Sequence, residues 1–432
     1  LYILNGNKHA LESGILRSQS TKRFLAIFAL AFGIRLLAFV VGVPASQMMG
    51  GPEIPFAENF KDYYFAYIPS VKAFLEGRML YRDFYHAYPP LFIYVLSLLY
   101  AVGQSWFAPA IPLMLGDLLT IVPIYLIAKK LFNENRAVLA TFAFAVCPVN
   151  VYYVDYLWLN PSLTTLFLMV SVYLFLMKRT NLSALSLAIS TGFKQTSLLA
   201  APIMIVELAR TGNKRKAATF FAIYLIAFIL ISLPYIAVTP VRYLWCLRVP
   251  LLDPGPLSEE YWTIGFAPPP STVPPFDPST LSTLSQKMLK FVSLNAPMKL
   301  HLLILMLAPF ELDENTAKGI YSTAGNVLLV LLAAGYLALL FWLYRSKRPN
   351  GNVVVQSLAI GQLLFFGMYG LYKYYFAGVT PLLAALIPNW MGLFIFMAFN
   401  VVLIFVPRIL SPYLVLGGAL FLAAYGLVKG KL

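Results

Sequence analysis

The chain is predicted to be an all-α polytopic membrane protein, and three observations predict it. Of its 432 residues, 60% are hydrophobic and only 11% are charged, whereas a soluble globule carries about a quarter charged residues. Apolar runs long enough to cross a bilayer recur along nearly the whole length. Tyr, Phe and Trp make up 15% of the chain, and many stand beside the ends of those runs, as interfacial anchors do. The net charge of +15 does not point to nucleic acid. The basic residues form no single patch but punctuate the apolar runs, as positive-inside loops do.

Spans of about 20 residues fall near 24–44, 108–128, 137–153, 158–177, 181–193, 195–209, 215–237, 319–344, 352–371, 389–407 and 411–428, eleven in all. The pair 181–193 and 195–209 is short, suiting half-helices or tilted neighbours. With residues 1–23 as a cytosolic leader, alternation puts Lys129/Lys130/Arg136, Lys178/Arg179, Arg210/Lys214/Arg215/Lys216, Arg345/Lys347/Arg348 and Arg408 inside. With the leader's Lys8, Arg17, Lys22 and Arg23 these are 17 of the 32 Lys and Arg. This map requires 89–106 to lie at the outer surface; a crossing there would move Lys129/Lys130 and Lys178/Arg179 outside. The resulting organisation is an N-terminal transmembrane module, 24–237, with outer loop 45–107; a long outer segment, 238–318, with surface helices; and C-terminal transmembrane helices, 319–432. About eleven spans and outer-face amphipathic helices are therefore expected.

Acids mark the working face. Of the 17, Glu12, Glu134 and Glu207 fall in inner segments and Asp117 in a span; the rest fall on the outer side. The densest constellation is 53–90. Asp62 follows the first span, Glu58 is one helical turn earlier on the same face, and Tyr63, Tyr64 and Tyr67 lie beside it. Asp83 and His86 form a second cluster ending at Pro89-Pro90. A carboxylate at the lipid boundary can take a proton from an attacking hydroxyl, and aromatics suit the apolar face of a sugar. An amphipathic interfacial helix whose charges face water fits the same residues.

Asp155, in VYYVDYLWLNP, falls at the outer end of the third span on the same face as Asp62; alone it reads as a helix cap. Lys194 and Gln195 interrupt two short apolar runs at their outer end. An ammonium there is costly without a partner, and a lipid phosphate is a fitting one, preferred to simple snorkelling. Lys373 sits among Tyr372, Tyr374 and Tyr375, where a phosphate contact and belt anchoring fit equally. Arg35 and Asp117 lie inside spans and are functional suspects with no partner legible. His301 reads as a surface residue. Cys147, in an apolar run, reads as packing, and it and Cys246 make no disulfide or metal framework. No P-loop, GxSxG, HExxH or CxxC motif is present.

At 62–98 the sequence resembles the GT-C superfamily of membrane glycosyltransferases, and most of all its polyprenyl-phosphate-mannose-dependent branch. That pattern is an acid and a tyrosine after the first span, then F-x-x-G-x-x-x-Y-x-D-F, then Y-P-P-L. Here it reads Asp62…Tyr67, Phe74–Phe84 with Gly77, Arg78, Tyr81 and Asp83, and Tyr88-Pro89-Pro90-Leu91. Lys194-Gln195 through Pro202 and Lys373-Tyr374-Tyr375 through Pro381 match two later, shorter elements.

The resemblance implies a catalytic base at Asp62, a second acidic position at Asp155, and an inverting single displacement. Lys194 and Lys373 would neutralise the departing lipid phosphate. The outer-loop clusters and the matched elements make Glu58, Tyr67, Arg78, Asp83, His86, Tyr88, Gln195 and Tyr374 the candidate substrate-binding residues. It implies a polyprenyl-phosphate-linked hexose donor, with mannose first, a lipid or glycan acceptor, and an outer or lumenal active face. Tyr88 stands where some relatives carry Lys, so that either His86 substitutes or the contact is absent. Asp62 is flanked by Lys61 and Tyr63 where others carry an acidic pair, so no metal and no cofactor is expected. The rival readings are a transporter or flippase for a lipid-linked or polar substrate, which calls for matched broken helices in two halves, and an inactive scaffold of the same superfamily.

Overall fold

The computed structural model describes residues 2–48, 62–84, 86–248, 314–346, 351–369, 373–406, 414–415 and 417–418. Among these residues the structure is helical and contains no strand; one bridge between Leu80 and Phe84 closes a turn. Glu58, His301, most of the long outer segment 238–318 and most of the span expected at 411–428 lie outside the described residues.

Helix α1 runs Tyr2–Met48, so the stretch expected as a leader continues unbroken into the first span. Its apolar part, Thr21–Pro44, is only 17% buried, and Leu30, Leu36, Leu37 and Val40 point outward. A helix this apolar and this uncovered needs lipid as its solvent. Helix α2 (Ile68–Leu75) ends at Gly77, whose φ of +82° allows a left-handed cap. Gly77 N–H donates to the Phe74 carbonyl and Arg78 N–H to Ala73, both at 3.0 Å, and these paired bonds satisfy the last carbonyls of the helix. This is the physical content of the F-x-x-G pattern.

Helix α3 (Leu91–Gly103) has 13 residues, about 20 Å at 1.5 Å per residue, shorter than a bilayer core of ~30 Å. Helix α4 (Ile111–Leu131) and α5 (Glu134–Ala145) lead into a π-turn, Val151–Tyr156. The spans Ala108–Leu131 and Glu134–Tyr156 are 67% buried, so they form the centre of the bundle. Helices α6 (Ser162–Leu176) and α7 (Thr180–Phe193) pair as a hairpin against α4. Next come α8 (Ala200–Arg210), α9 (Lys214–Val238) and α10 (Pro240–Arg248). Beyond them lie α11 (Glu314–Arg345), α12 (Gly351–Tyr369), α13 (Thr380–Ala385) and α14 (Trp390–Phe405).

Among the described residues four helices are long and apolar enough to cross a membrane: Thr21–Pro44, Ala108–Leu131, Glu134–Tyr156 and Lys214–Val238; five apolar helices are shorter. Helix length alone therefore does not reproduce the eleven expected spans. The short expected pair is two half-helices, α7 and α8, separated by an extended Lys194 and a 3-10 turn, Gln195–Leu199. These lengths and exposures are those of an integral membrane protein.

Candidate active site

Four interruptions of α-helical geometry carry the site: π-turns at Asp62–Tyr67 and Val151–Tyr156, and 3-10 turns at Gln195–Leu199 and Lys373–Gly378. Each has a proline downstream. At Asp62–Tyr67 the reason is local: Pro69 has no N–H for the Phe65 carbonyl, and the preceding turns widen. The three sequence elements that are far apart in the chain meet at these breaks.

Lys194 is their centre. It is 1% exposed, and its ammonium donates to the Asn160 carbonyl at 3.0 Å. The rings of Tyr375, Tyr374 and Tyr88 stand 3.7, 5.1 and 5.2 Å from Nζ, a cage worth about 0.5–2 kcal/mol per favourable face. No carboxylate among the described residues lies within ion-pair distance of it. Burial pushes Lys194 well below the ordinary lysine range, and the charge of Asp62, half-buried at the start of its π-turn, opposes that shift; the same charge acts on Tyr67, Tyr88 and Tyr374.

The Tyr67 and Tyr88 rings meet edge to face with centroids 6.1 Å apart, and Tyr88 OH lies 3.5 Å from Tyr374 OH. Burial, with the Asp62 charge adding to it, pushes the Tyr67 and Tyr88 hydroxyls above the ordinary phenol range, so both stay protonated donors. The Asn160 backbone joins the halves, its N–H donating to Tyr67 OH at 3.2 Å and its carbonyl holding Lys194. Its side-chain amide is fully buried, and neither atom has a hydrogen-bond partner among the described residues. Beside Lys194 lies a cleft walled by Pro161, Thr165, Thr196 and Tyr375, of about 10 Å³, room for one water.

Gln195 ties the outer segments together. Its amide donates to the Ala87 carbonyl at 3.0 Å and to the Leu247 carbonyl, on α10, at 2.8 Å. Tyr81 packs edge-on against Tyr235 and Tyr243, and its hydroxyl donates to the Tyr88 carbonyl at 2.5 Å. These contacts fix the chain between Tyr81 and Tyr88 over Lys194.

Other expected site residues are placed differently. Asp83 pairs with Arg82 at 2.7 Å and accepts the Met79 N–H, and Arg78 donates to the Asp83 carbonyl. The Arg82 hydrogen bond, then the Met79 N–H, lowers the Asp83 carboxyl to about 2. These residues pin an exposed turn. Lys373 turns to α14, where it donates to the Ile404 carbonyl at 2.9 Å, while the adjacent Tyr374 and Tyr375 face Lys194. Asp155 is not an exposed cap: it is fully buried, with an oxygen 3.6 Å from Arg35 Nε. Arg35 and Asp117, read without partners, bind each other at 2.7 Å.

His86 is buried among Tyr81, Tyr88 and Phe92, and its Nε2 has no hydrogen-bond partner among the described residues. Burial lowers its pKa to about 3, so it is neutral at working pH. The folded value lies below the unfolded one, near 6.5. Its contribution to stability is therefore whole above about pH 6.5 and falls as pH drops toward 3, by up to ~1.4 kcal/mol per unit. Thermal unfolding in detergent should show a lower midpoint at pH 5 than at pH 7.5. In His86→Gln the drop should be smaller; an equal drop would place the pH-sensitive group elsewhere.

Residues 87–237 match the family described as dolichyl-phosphate-mannose-protein mannosyltransferase. The resemblance to the GT-C glycosyltransferases stands. The match takes in Tyr88, Asp155, Lys194 and Gln195, and begins after Asp62. No curated protein matches the chain in sequence. In structure it is similar to the Archaeoglobus fulgidus oligosaccharyltransferase in the apo form, at 14% identity and a TM-score of 0.40, covering 89% of this chain and 56% of that one. It is also similar to the archaeal oligosaccharyltransferase AglB from Archaeoglobus fulgidus in complex with an inhibitory peptide and a dolichol-phosphate. There the identity is 13% and the TM-score 0.34, covering 93% of this chain and 51% of that one. The chain thus spans a little over half the length of those proteins. Among the described residues no group of three or more His, Cys, Asp and Glu could hold a metal ion.

Sequence reasoning names Tyr375 beside Lys373 but places only Tyr374 in the substrate site, whereas Tyr375 carries the ring closest to Lys194; Asn160 it misses. Asn160 acts mainly through its backbone; its only signal was its place before Pro161 in VYYVDYLWLNP.

Proposed function

We propose that the chain is a glycosyltransferase that moves a hexose, with mannose the first candidate, from a polyprenyl-phosphate-linked donor to a lipid or glycan hydroxyl on the outer or lumenal face of the membrane. The observation that carries this reading is Lys194: a buried ammonium, caged by tyrosines and out of ion-pair reach of any described carboxylate. Burying such a charge is costly unless an anion joins it. A lipid phosphate brings that anion, and the protonated Tyr67 and Tyr88 hydroxyls add donors beside it.

In this reading the acceptor hydroxyl attacks the anomeric carbon as Asp62 takes its proton. The bond from that carbon to the phosphate oxygen breaks, and its electron pair leaves with the phosphate, toward Lys194. One displacement inverts the anomeric centre. The Asn160 amide offers a donor and an acceptor to a sugar hydroxyl. The cleft is too small for a hexose, so binding must part Tyr375 from Pro161 and Thr165. The extended Lys194 with the 3-10 turn that follows it, and the 3-10 turn carrying Tyr375, are the natural hinges.

The test is transfer of labelled mannose from polyprenyl-phosphate-mannose by the purified chain in detergent. Transfer without a membrane potential is expected, and Lys194→Met should raise the donor KM about 10- to 100-fold, the worth of one charge-assisted hydrogen bond. Purified protein that transfers nothing, or a Lys194→Met variant with an unchanged donor KM, would overturn this assignment.

A further inference from the structure

On the face that the charge distribution assigns to the cytosol, far in sequence from Asp62, the turn between α6 and α7 and the start of α9 enclose a cleft of about 440 Å³. Lys178, Arg179, Arg215 and Lys216 line it with Thr180, Asn181 and Thr219. We propose that this cleft binds the headgroup of an anionic phospholipid of the inner leaflet.

Four features of the cleft point to an anion. First, none of the four cations makes an ion pair among the described residues, whereas nearby Lys129 and Arg210 are matched by Glu134 and Glu207 at 2.8 and 2.6 Å. Second, the start of α9 is the wrong end for cations: Lys214, Arg215 and Lys216 occupy its first turn with no acid there, where the helix dipole favours negative charge. Third, α7 and α9 both begin at the cleft without a side-chain cap, leaving first-turn N–H groups open to an anion. Fourth, Lys178 holds φ of +61° at the left-handed cap of α6, with Lys178 N–H on Phe175 and Arg179 N–H on Leu174 at 2.9 Å. Glycine is the ordinary residue there, and the equivalent turn after α8 uses one, Gly212. The lysine stands there at a steric cost, and it lines the cleft together with Arg215 and Lys216.

A phospholipid fits better than a soluble anion because the helices beside the cleft are lipid-facing: Leu182 and Leu185 on α7 and Phe221 and Leu225 on α9 are exposed. Acyl chains can lie along them while the phosphate sits among the cations.

The experiment measures retention of dioleoyl-phosphatidylglycerol against dioleoyl-phosphatidylcholine by the 432-residue chain, read by native mass spectrometry. Wild type should retain the anionic lipid about tenfold or more over the zwitterionic one. Arg179→Ala/Arg215→Ala, two exposed substitutions, should abolish that preference while melting as wild type does in lipid-free detergent. Lys129→Ala/Arg136→Ala, with the same loss of charge outside the cleft, should keep it. Equal retention by wild type and the cleft variant, or equal loss in the control, would overturn the site. Displacement of the lipid by millimolar inorganic phosphate would assign the cleft to a soluble anion instead and overturn the lipid reading.

Discussion

Asp62→Asn is expected to lower kcat for sugar transfer by about 10²- to 10⁴-fold, the range of a lost general base, with expression and melting unchanged. Asparagine keeps the shape of the side chain at the start of the π-turn but can neither hold a negative charge nor accept a proton. The donor KM should hold or fall. The Asp62 charge acts on Lys194, Tyr67, Tyr88 and Tyr374, which in this reading receive an anionic phosphate, and removing a negative charge does not weaken the binding of an anion. Asp62→Glu should be intermediate, because it restores the charge but moves the carboxylate by one methylene. A kcat unchanged in Asp62→Asn would remove the residue from the chemistry. A large rise in donor KM at constant kcat would make it a binding residue.

The residues of this centre were legible where chain breaks mark them. Tyr67 and Tyr88 stand beside prolines, Lys194 between two short apolar runs and Asp62 after the first span, and a polar residue at such a break is costly without a task. Fine orientation was not legible. Lys373, Tyr374 and Tyr375 are consecutive in a 3-10 turn, where each residue rotates about 120° from the last, so spacing could not say that the lysine turns to α14 and the tyrosines to Lys194. Asp83 and Arg78 carry the right residue types for a sugar site, yet local geometry uses them to pin a turn. Asn160 contributes through its N–H and carbonyl, which every residue but proline possesses. The all-α architecture followed from composition and run length. The span count did not, because a broken or tilted helix and a straight span share one apolar signature.

The pairing of the intramembrane charges lay beyond sequence reading too, since Arg35 and Asp117 are 82 residues apart. The structure makes them the centre of a buried network. Arg35 donates to Asp117 at 2.8 Å, to the Ala145 carbonyl at 2.9 Å and to the Phe144 carbonyl at 3.2 Å. Asn150 donates to the other Asp117 oxygen at 2.6 Å and accepts from Thr380 at 2.5 Å. The network thus joins α1, α4, α5 and α13. Close approach of α1 depends on Gly42, where a Cβ would come within 2.7 Å of the Tyr156 carbonyl oxygen.

Arg35→Met should destabilise the fold by about 3–5 kcal/mol, the cost of breaking a buried pair and stranding its partner. Here two carboxylates, Asp117 and Asp155, lose the same guanidinium. Arg35→Met/Asp117→Asn should recover part of the loss, because it removes one stranded charge, and the difference from additivity measures the pair. Detergent melting curves decide this: a single variant that melts with wild type would show that the network carries no stability. Asp155→Asn separates its two remaining roles. Neither of its oxygens accepts a hydrogen bond among the described residues, so if it serves only as a charge beside Arg35, the variant should fold and transfer sugar nearly as wild type does. Lost transfer at an unchanged melting temperature would instead return Asp155 to the reaction as the second acid that the resemblance implies.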